Sequence, residues 1–124
     1  GGFYHYPKNA KKYIWENLEN YFPVSNYQIP EKDIIERLIF SQAIEAIYCY
    51  QENIITSVYD ANVGSILGLG FPSDSGGILQ FVNNYGVLKF RDRSLQLKER
   101  YGKRFSPPKL LNEMAKTKKI FKSL

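Results

Sequence analysis

Residues 31–52 read EKDIIERLIFSQAIEAIYCYQE, and this stretch decides the fold. Its apolar residues recur at three- and four-residue spacing and cover more than half of a helix circumference. Pro30 suits the first turn of a helix, and Glu31 and Asp33 place negative charge where the helix dipole favours it. The stretch therefore predicts one long, central α-helix from about residue 31 to about residue 52.

The same helical period continues on both sides of this stretch. It predicts further helices over residues 9–22, 57–67, 78–85, 87–101 and 106–116. Ser57 and Ser106 are placed to cap the third and sixth helices, and Pro107 and Pro108 to fill the first positions of the sixth. Residues 73–77 predict a loop, and no segment predicts a β-strand, because the short β-branched runs have no partner.

These elements predict an all-α fold, a compact bundle of about five to six helices. A chain of 124 residues fits one domain, in which residues 1–29 form a leading segment and linker and residues 30–124 the helical core. No signal peptide or membrane span is expected, and a start at Gly1 without Met indicates a fragment. The single cysteine, Cys49, precludes an internal disulfide and suits a reducing, cytoplasmic compartment.

The charge is uneven along the chain. Residues 88–124 hold 12 Lys and Arg but 3 Asp and Glu, a net charge of +9, whereas the rest carries −4. Residues 89–93 and 98–104 mix basic and aromatic side chains, as nucleic-acid-binding segments do. The alternative functions are therefore a basic helical module that binds nucleic acid or an acidic partner, and a charged face that water solvates.

The sequence gives little evidence for a catalytic or cofactor-binding site. The glycines between Gly64 and Gly77 do not follow a strand and lack the spacing of a dinucleotide site, so they are expected to end one helix and let the next approach closely. His5 is the only histidine and lies in a terminal aromatic segment, which argues against a catalytic triad or a zinc site. We predict no catalytic, cofactor-binding or metal-binding residue in this chain.

Glu45 is the one carboxylate that the pattern places among apolar neighbours. It shares a helix line with Gln42 and Cys49, so we expect partial burial. A buried carboxylate could act as an acid or base, or it could accept hydrogen bonds from backbone N–H groups of the glycine-rich loop. The second interpretation is favoured, because the sequence places no second titratable group nearby.

Four segments in order resemble one family, the helical C-terminal domain of 3-hydroxyacyl-CoA dehydrogenases. They read GFYHY at residues 2–6, EAIYC at residues 45–49, GSILGLGFP at residues 64–72 with Gly76-Gly77, and YGKRFSP at residues 101–107 with LL at 110–111 and MA at 114–115. The last resembles the end of multifunctional fatty-acid oxidation α subunits. Each segment alone is weak, but the ordered set is specific.

The resemblance implies a fold similar to the C-terminal domain of 6-phosphogluconate dehydrogenase and a helical support domain in fatty-acid β-oxidation. The parent oxidoreductase would oxidise 3-hydroxyacyl-CoA to 3-ketoacyl-CoA with NAD. Its Rossmann domain would bind the NAD and would also carry a His–Glu pair. This chain would be the second helical domain, packed on a sister domain near the acyl-CoA site, in a subunit that works with a thiolase. It would bind no cofactor and be inactive alone, and it could form a homodimer when isolated.

Overall fold

A computed structural model describes residues 2–122. Gly1, at which we predicted a fragment to begin, lies outside the described residues, as do residues 123–124. The chain forms two compact units, one up to Pro30 and one from Glu31 onward. Among the described residues, no helix combines the length and hydropathy that a bilayer crossing requires.

The first unit is a short antiparallel hairpin followed by one helical turn. Strand β1 (Tyr4–His5) pairs with β2 (Tyr13–Ile14), with Tyr4 opposite Ile14 and His5 opposite Tyr13, and α1 is Leu18–Tyr21. The His5 and Tyr13 rings lie 5.1 Å apart between centroids. None of residues 2–30 is buried, so this unit has no core of its own.

The predicted helix over residues 9–22 and the predicted absence of strands are both wrong. Tyr13 and Ile14 carry the apolar spacing of a helix, but aromatic and β-branched side chains also suit a paired strand. The pairing partner lies at Tyr4 and His5, across an eight-to-ten-residue separation that a local periodicity does not detect. The remainder of the segment forms the single turn α1.

The second unit is a bundle of five α-helices, and it confirms the all-α class. Its elements are α2 (Glu31–Gln51), α3 (Val58–Leu69), α4 (Ile78–Tyr85), α5 (Val87–Tyr101) and α6 (Lys109–Thr117), with 3-10 turns at Ser73–Ser75 and Lys103–Phe105. The predicted bounds of α4 and α5 are confirmed, and those of α2 differ by one residue at its end. Helix α3 runs two residues beyond its predicted end.

Of the two predicted N-terminal caps, at Ser57 and Ser106, one is present in the structure and the other is not. The Ser57 Oγ accepts a hydrogen bond from the Asp60 N–H at 3.2 Å, which confirms the predicted cap of α3. The predicted cap at Ser106 is wrong: α6 begins at Lys109, after Pro108, and no side chain caps it. Two consecutive prolines hold the chain extended before the helix, because each disfavours a helical conformation at the residue preceding it.

An aromatic cluster forms the centre of the bundle. The rings of Phe40 on α2 and Phe90 on α5 stack with centroids 4.2 Å apart, and both side chains are fully buried. Phe81 and Tyr85 of α4 contact Phe40 edge-on, at 6.3 and 5.2 Å. Edge-on and stacked pairs of this kind are favoured by the ring quadrupole, so α2, α4 and α5 are held in one geometry.

A buried polar network joins the first turns of α2 to α5. The Arg93 guanidinium donates to Asp33 at 2.5 Å and to Glu36 at 2.6 Å. The Tyr101 hydroxyl donates to the second Asp33 oxygen at 2.6 Å, and the Tyr85 hydroxyl donates to Glu36 at 3.1 Å. The hydrogen bond from Tyr101, followed by that from Arg93, holds the pKa of Asp33 below its ordinary value of 3.8.

The junction of α3 and α4 is built from two side chains of α3. The Asn62 Oδ1 accepts from the backbone N–H groups of Leu79 and Gln80, at 2.9 and 3.0 Å, and the Ser65 Oγ accepts from that of Ile78 at 3.1 Å. The first three N–H groups of α4, which have no partner within their own helix, are thus all satisfied from α3.

Gly77 makes this junction possible. Its φ is +111°, and a Cβ at this position would lie 2.4 Å from the Asn62 Cβ and 2.5 Å from the Asn62 Cα. No side chain fits there without moving the α3 backbone. The glycine pair therefore serves close helix approach, which agrees with the interpretation from the sequence.

We expect Gly77→Ala to lower the free energy of unfolding by at least roughly 2 kcal/mol, because the backbone conformation is strained for alanine and the methyl group overlaps Asn62. Urea denaturation monitored by circular dichroism measures the change. Gly68→Ala is the matched control: a Cβ there meets nothing within 4 Å, so stability should stay equal or rise by up to about 1 kcal/mol. Equal stability of the two variants would contradict the close approach of Gly77 to Asn62 of α3.

Asp33 predicts a dependence of stability on pH. Since its folded pKa lies below the unfolded value, its contribution is present above pH 3.8 and is lost as the pH falls through the folded pKa. Asp33→Asn should lower stability at pH 7 and shrink the loss on acidification from pH 5 to pH 2, measured as urea midpoints. Asp74→Asn is the control, because Asp74 is exposed and makes no ion pair among the described residues. Parallel acid profiles of wild type and Asp33→Asn would oppose this role.

Candidate functional site

An apolar groove of about 700 Å³ lies between α2 and α3. One wall is formed by Gln42, Glu45 and Cys49, the three α2 residues that the sequence places on one helix line. The opposite wall comes from α3, and Ile78 of α4 lies between the two. Both α2 and α3 pack on α4, which spaces them apart and leaves the groove open.

The residues at the base of the groove have small side chains, which leave the groove unfilled. Ala46 of α2 faces Ala61, Gly64 and Ser65 of α3, and three of these four are buried. At Gly64 a Cβ would meet no atom within 4 Å, so the space above this residue is open. A groove with small side chains at its base is the shape that admits an apolar helix or chain segment from a partner.

The groove carries charge along its edges. Glu45 of α2 and Asp60 of α3 line it, as do Lys103 and Arg104, and the guanidinium of Arg104 lies 5.6 Å from the Phe105 ring centroid. Among the described residues, no group of three or more His, Cys, Asp and Glu could hold a metal ion. An apolar base with charged edges is typical of a protein-binding surface.

The predicted burial of Glu45 and its predicted hydrogen bonds to the glycine loop are wrong. The side chain is exposed at the edge of the groove and makes no hydrogen bond or ion pair among the described residues. Asn62 and Ser65 accept hydrogen bonds instead from the first three N–H groups of α4, directly after the glycine pair. Sequence reasoning missed these two; the signal was a pair of small polar residues three apart in an otherwise apolar helix, just before the glycines.

The arginines of α5 form ion pairs within the fold. Arg93 is engaged by Asp33 and Glu36, and Arg91 contacts Asp92 at 2.6 Å. Arg100 lies 3.3 Å from Asp33. These three arginines are paired with carboxylates, whereas Lys89 and Lys98 of the same helix form no ion pair among the described residues.

Comparison with known proteins finds relatives over most of the chain. Proteins named fatty acid oxidation complex subunit alpha are 34% identical over 123 residues in Shewanella amazonensis and 32% identical over 107 residues in Vibrio cholerae. These alignments cover 97% and 86% of this chain. The chain is homologous to a segment of these α subunits.

The homology concerns a small part of each relative. The chain spans 17% of the Shewanella amazonensis subunit and 15% of the Vibrio cholerae subunit; a third relative, from Idiomarina loihiensis, is 31% identical over 115 residues and 16% of its length is spanned. No protein-family model matches the chain.

Three of the four family-like segments meet in the groove, since Lys103 and Arg104, which also line it, belong to the segment at residues 101–107. Glu45, Ala46 and Cys49 belong to the segment at residues 45–49, and Gly64 and Ser65 open the segment at residues 64–72. The first supplies part of one wall and the second part of the other. Parts of these segments therefore line a single surface feature.

Because Glu45 is exposed, we expect Glu45→Ala to change the free energy of unfolding by no more than about 0.5 kcal/mol. Asn62→Ala should lower it by about 1–3 kcal/mol, since two buried backbone N–H groups lose their acceptor. Chemical denaturation of the two variants side by side separates the roles. A Glu45→Ala variant as unstable as Asn62→Ala would restore the structural role that the sequence had indicated for the carboxylate.

Proposed function

We propose that this chain is a helical support domain of a fatty-acid oxidation α subunit, specifically the second of two related helical domains. It binds no cofactor and carries no catalytic group. Its groove between α2 and α3 receives an apolar segment of the sister domain. The observation that carries the proposal is the meeting of residues 45–49 and residues 64–72 in that groove.

Apolar exposure next to the groove supports a docking role. Ile34, Ile35 and Leu38 project from the first half of α2 with 45–64% of their surface exposed. Leu67 and Leu69, at the end of α3, are 81% and 74% exposed. Apolar surface of this extent on both helices that wall the groove is typical of a face that another domain covers.

The chemistry of the parent enzyme follows from the family resemblance and is part of the proposal. The parent oxidises a 3-hydroxyacyl-CoA to the 3-ketoacyl-CoA and passes a hydride to NAD held by its Rossmann domain. It works in the cytoplasm with a thiolase subunit. This chain contributes rigidity to the sister domain near the acyl-CoA site, and no step of the reaction passes through its residues.

A chimaera tests this function. The matching segment of the Shewanella amazonensis α subunit is replaced by residues 2–122, and NADH formation from 3-hydroxybutyryl-CoA is measured. We expect the chimaera to recover most of the activity that the subunit loses when the segment is deleted. The isolated chain, given acetoacetyl-CoA and NADH, should show no oxidation of NADH.

Gly64→Leu in the chimaera probes the groove directly. The side chain enters open space, so the domain should fold, but it fills the groove and should lower the activity about tenfold or more by weakening domain packing. Gly68→Leu, also on α3 with no atom near its Cβ position and outside the groove lining, is the matched control. A chimaera as inactive as the deletion, or turnover by the isolated chain, would contradict the proposal.

A further inference from the structure

The segment after α6 carries lysines on an apolar surface, away from the groove between α2 and α3. Lys118, Lys119 and Lys122 lie within five residues and are exposed. Two open grooves, of about 540 and 440 Å³, flank this segment, and Lys89 of α5 lines the second. We refer to these as the lysine grooves. Their volumes lie in the range of small-molecule sites.

The lysine grooves combine an apolar base with uncompensated positive charge. Both are lined by Met114 and Ile120, with Leu110 and Phe121 added in the first. Neither lining contains an aspartate or glutamate. Among the described residues, none of the four lysines forms an ion pair, in contrast to the arginines of α5.

The lysine-bearing segment is held in place by the fold. The Phe121 N–H donates to the Asn83 Oδ1 at 2.9 Å, and the Asn83 Nδ2 donates back to the Phe121 carbonyl at 2.8 Å. The Lys119 N–H donates to the Met114 carbonyl at 3.0 Å, and the Phe121 side chain is buried. Because the backbone of this segment is fixed, it loses little entropy on binding a ligand.

We propose that the lysine grooves bind a single-chain anionic amphiphile of the long-chain fatty-acid type. The hydrocarbon chain lies over Met114, and the carboxylate is paired with Lys118 and Lys119; all three residues line both lysine grooves. Apolar burial supplies the affinity, and the lysine charges select an anionic head over a neutral one. The site is separate from the domain-docking groove, and the inference does not rest on the proposed function.

A single molecule fits the surface better than a membrane does. Leu88 and Ile120 are the large exposed apolar side chains in the two linings, at 51% and 53% exposure. Two such residues give little insertion into a bilayer, whereas recessed grooves lined by Met114 and Leu110 match one acyl chain. Met114 also suits this use, because its unbranched side chain adapts to a flexible ligand.

Met114 is the only methionine of the chain, so its methyl group reports on this site alone. The 124-residue chain labelled with ¹³C at the methionine methyl is titrated with laurate below its critical micelle concentration. We expect a saturable shift of the methyl resonance. Dodecyl maltoside, which has the same chain length and a neutral head, should bind at least about tenfold more weakly than laurate.

Charge reversal locates the head group. Lys119→Glu should weaken laurate binding about tenfold, whereas Lys98→Glu, an equal charge change at an exposed position outside both linings, should leave it within about twofold. Laurate that leaves the Met114 methyl unmoved overturns the proposal, as do equal affinities for laurate and dodecyl maltoside. A methyl shift produced by phosphatidylglycerol vesicles but not by monomeric laurate overturns it in favour of a membrane surface.

Discussion

The contact between Asn62 and the start of α4 is the constraint on which the groove depends. Side chains of α3 satisfy the first three N–H groups of α4, and the missing Cβ at Gly77 lets the two backbones meet. This fixes α3 on α4 at one end of the groove. The stacked rings of Phe40 and Phe90 fix α2 in the same bundle at the other side. The space between α2 and α3 is what these two contacts leave open.

Polar and apolar interactions divide the work of holding the bundle together. The aromatic cluster supplies apolar burial and holds α2, α4 and α5 together. The network of Asp33, Glu36 and Arg93 requires defined positions on α2 and α5, because each charged atom is satisfied by a specific partner. Together they fix α2, α4 and α5 in a bundle, and the groove lies on its surface between α2 and α3.

The homology to fatty acid oxidation complex α subunits covers most of this chain and about a sixth of those proteins. The exposed leucines and isoleucines of α2 and α3 carry an energetic cost in water that disappears when another domain covers them. The lysine grooves share no lining residue with the groove between α2 and α3.

The sequence alone determined the helices of the second unit, the cap at Ser57 and the break at Gly86, because each depends on residues within a few positions. It also placed Gln42, Glu45 and Cys49 on one line, and all three line the groove. Only the tertiary structure decided that Glu45 is exposed, that Asn62 caps α4, and that Asp33 meets Arg93 sixty residues away. The pairing of β1 with β2 was likewise decided only by the tertiary structure. Periodicity reports which face of an element is apolar, but which neighbour covers that face, and which polar group meets which, is settled when the helices pack.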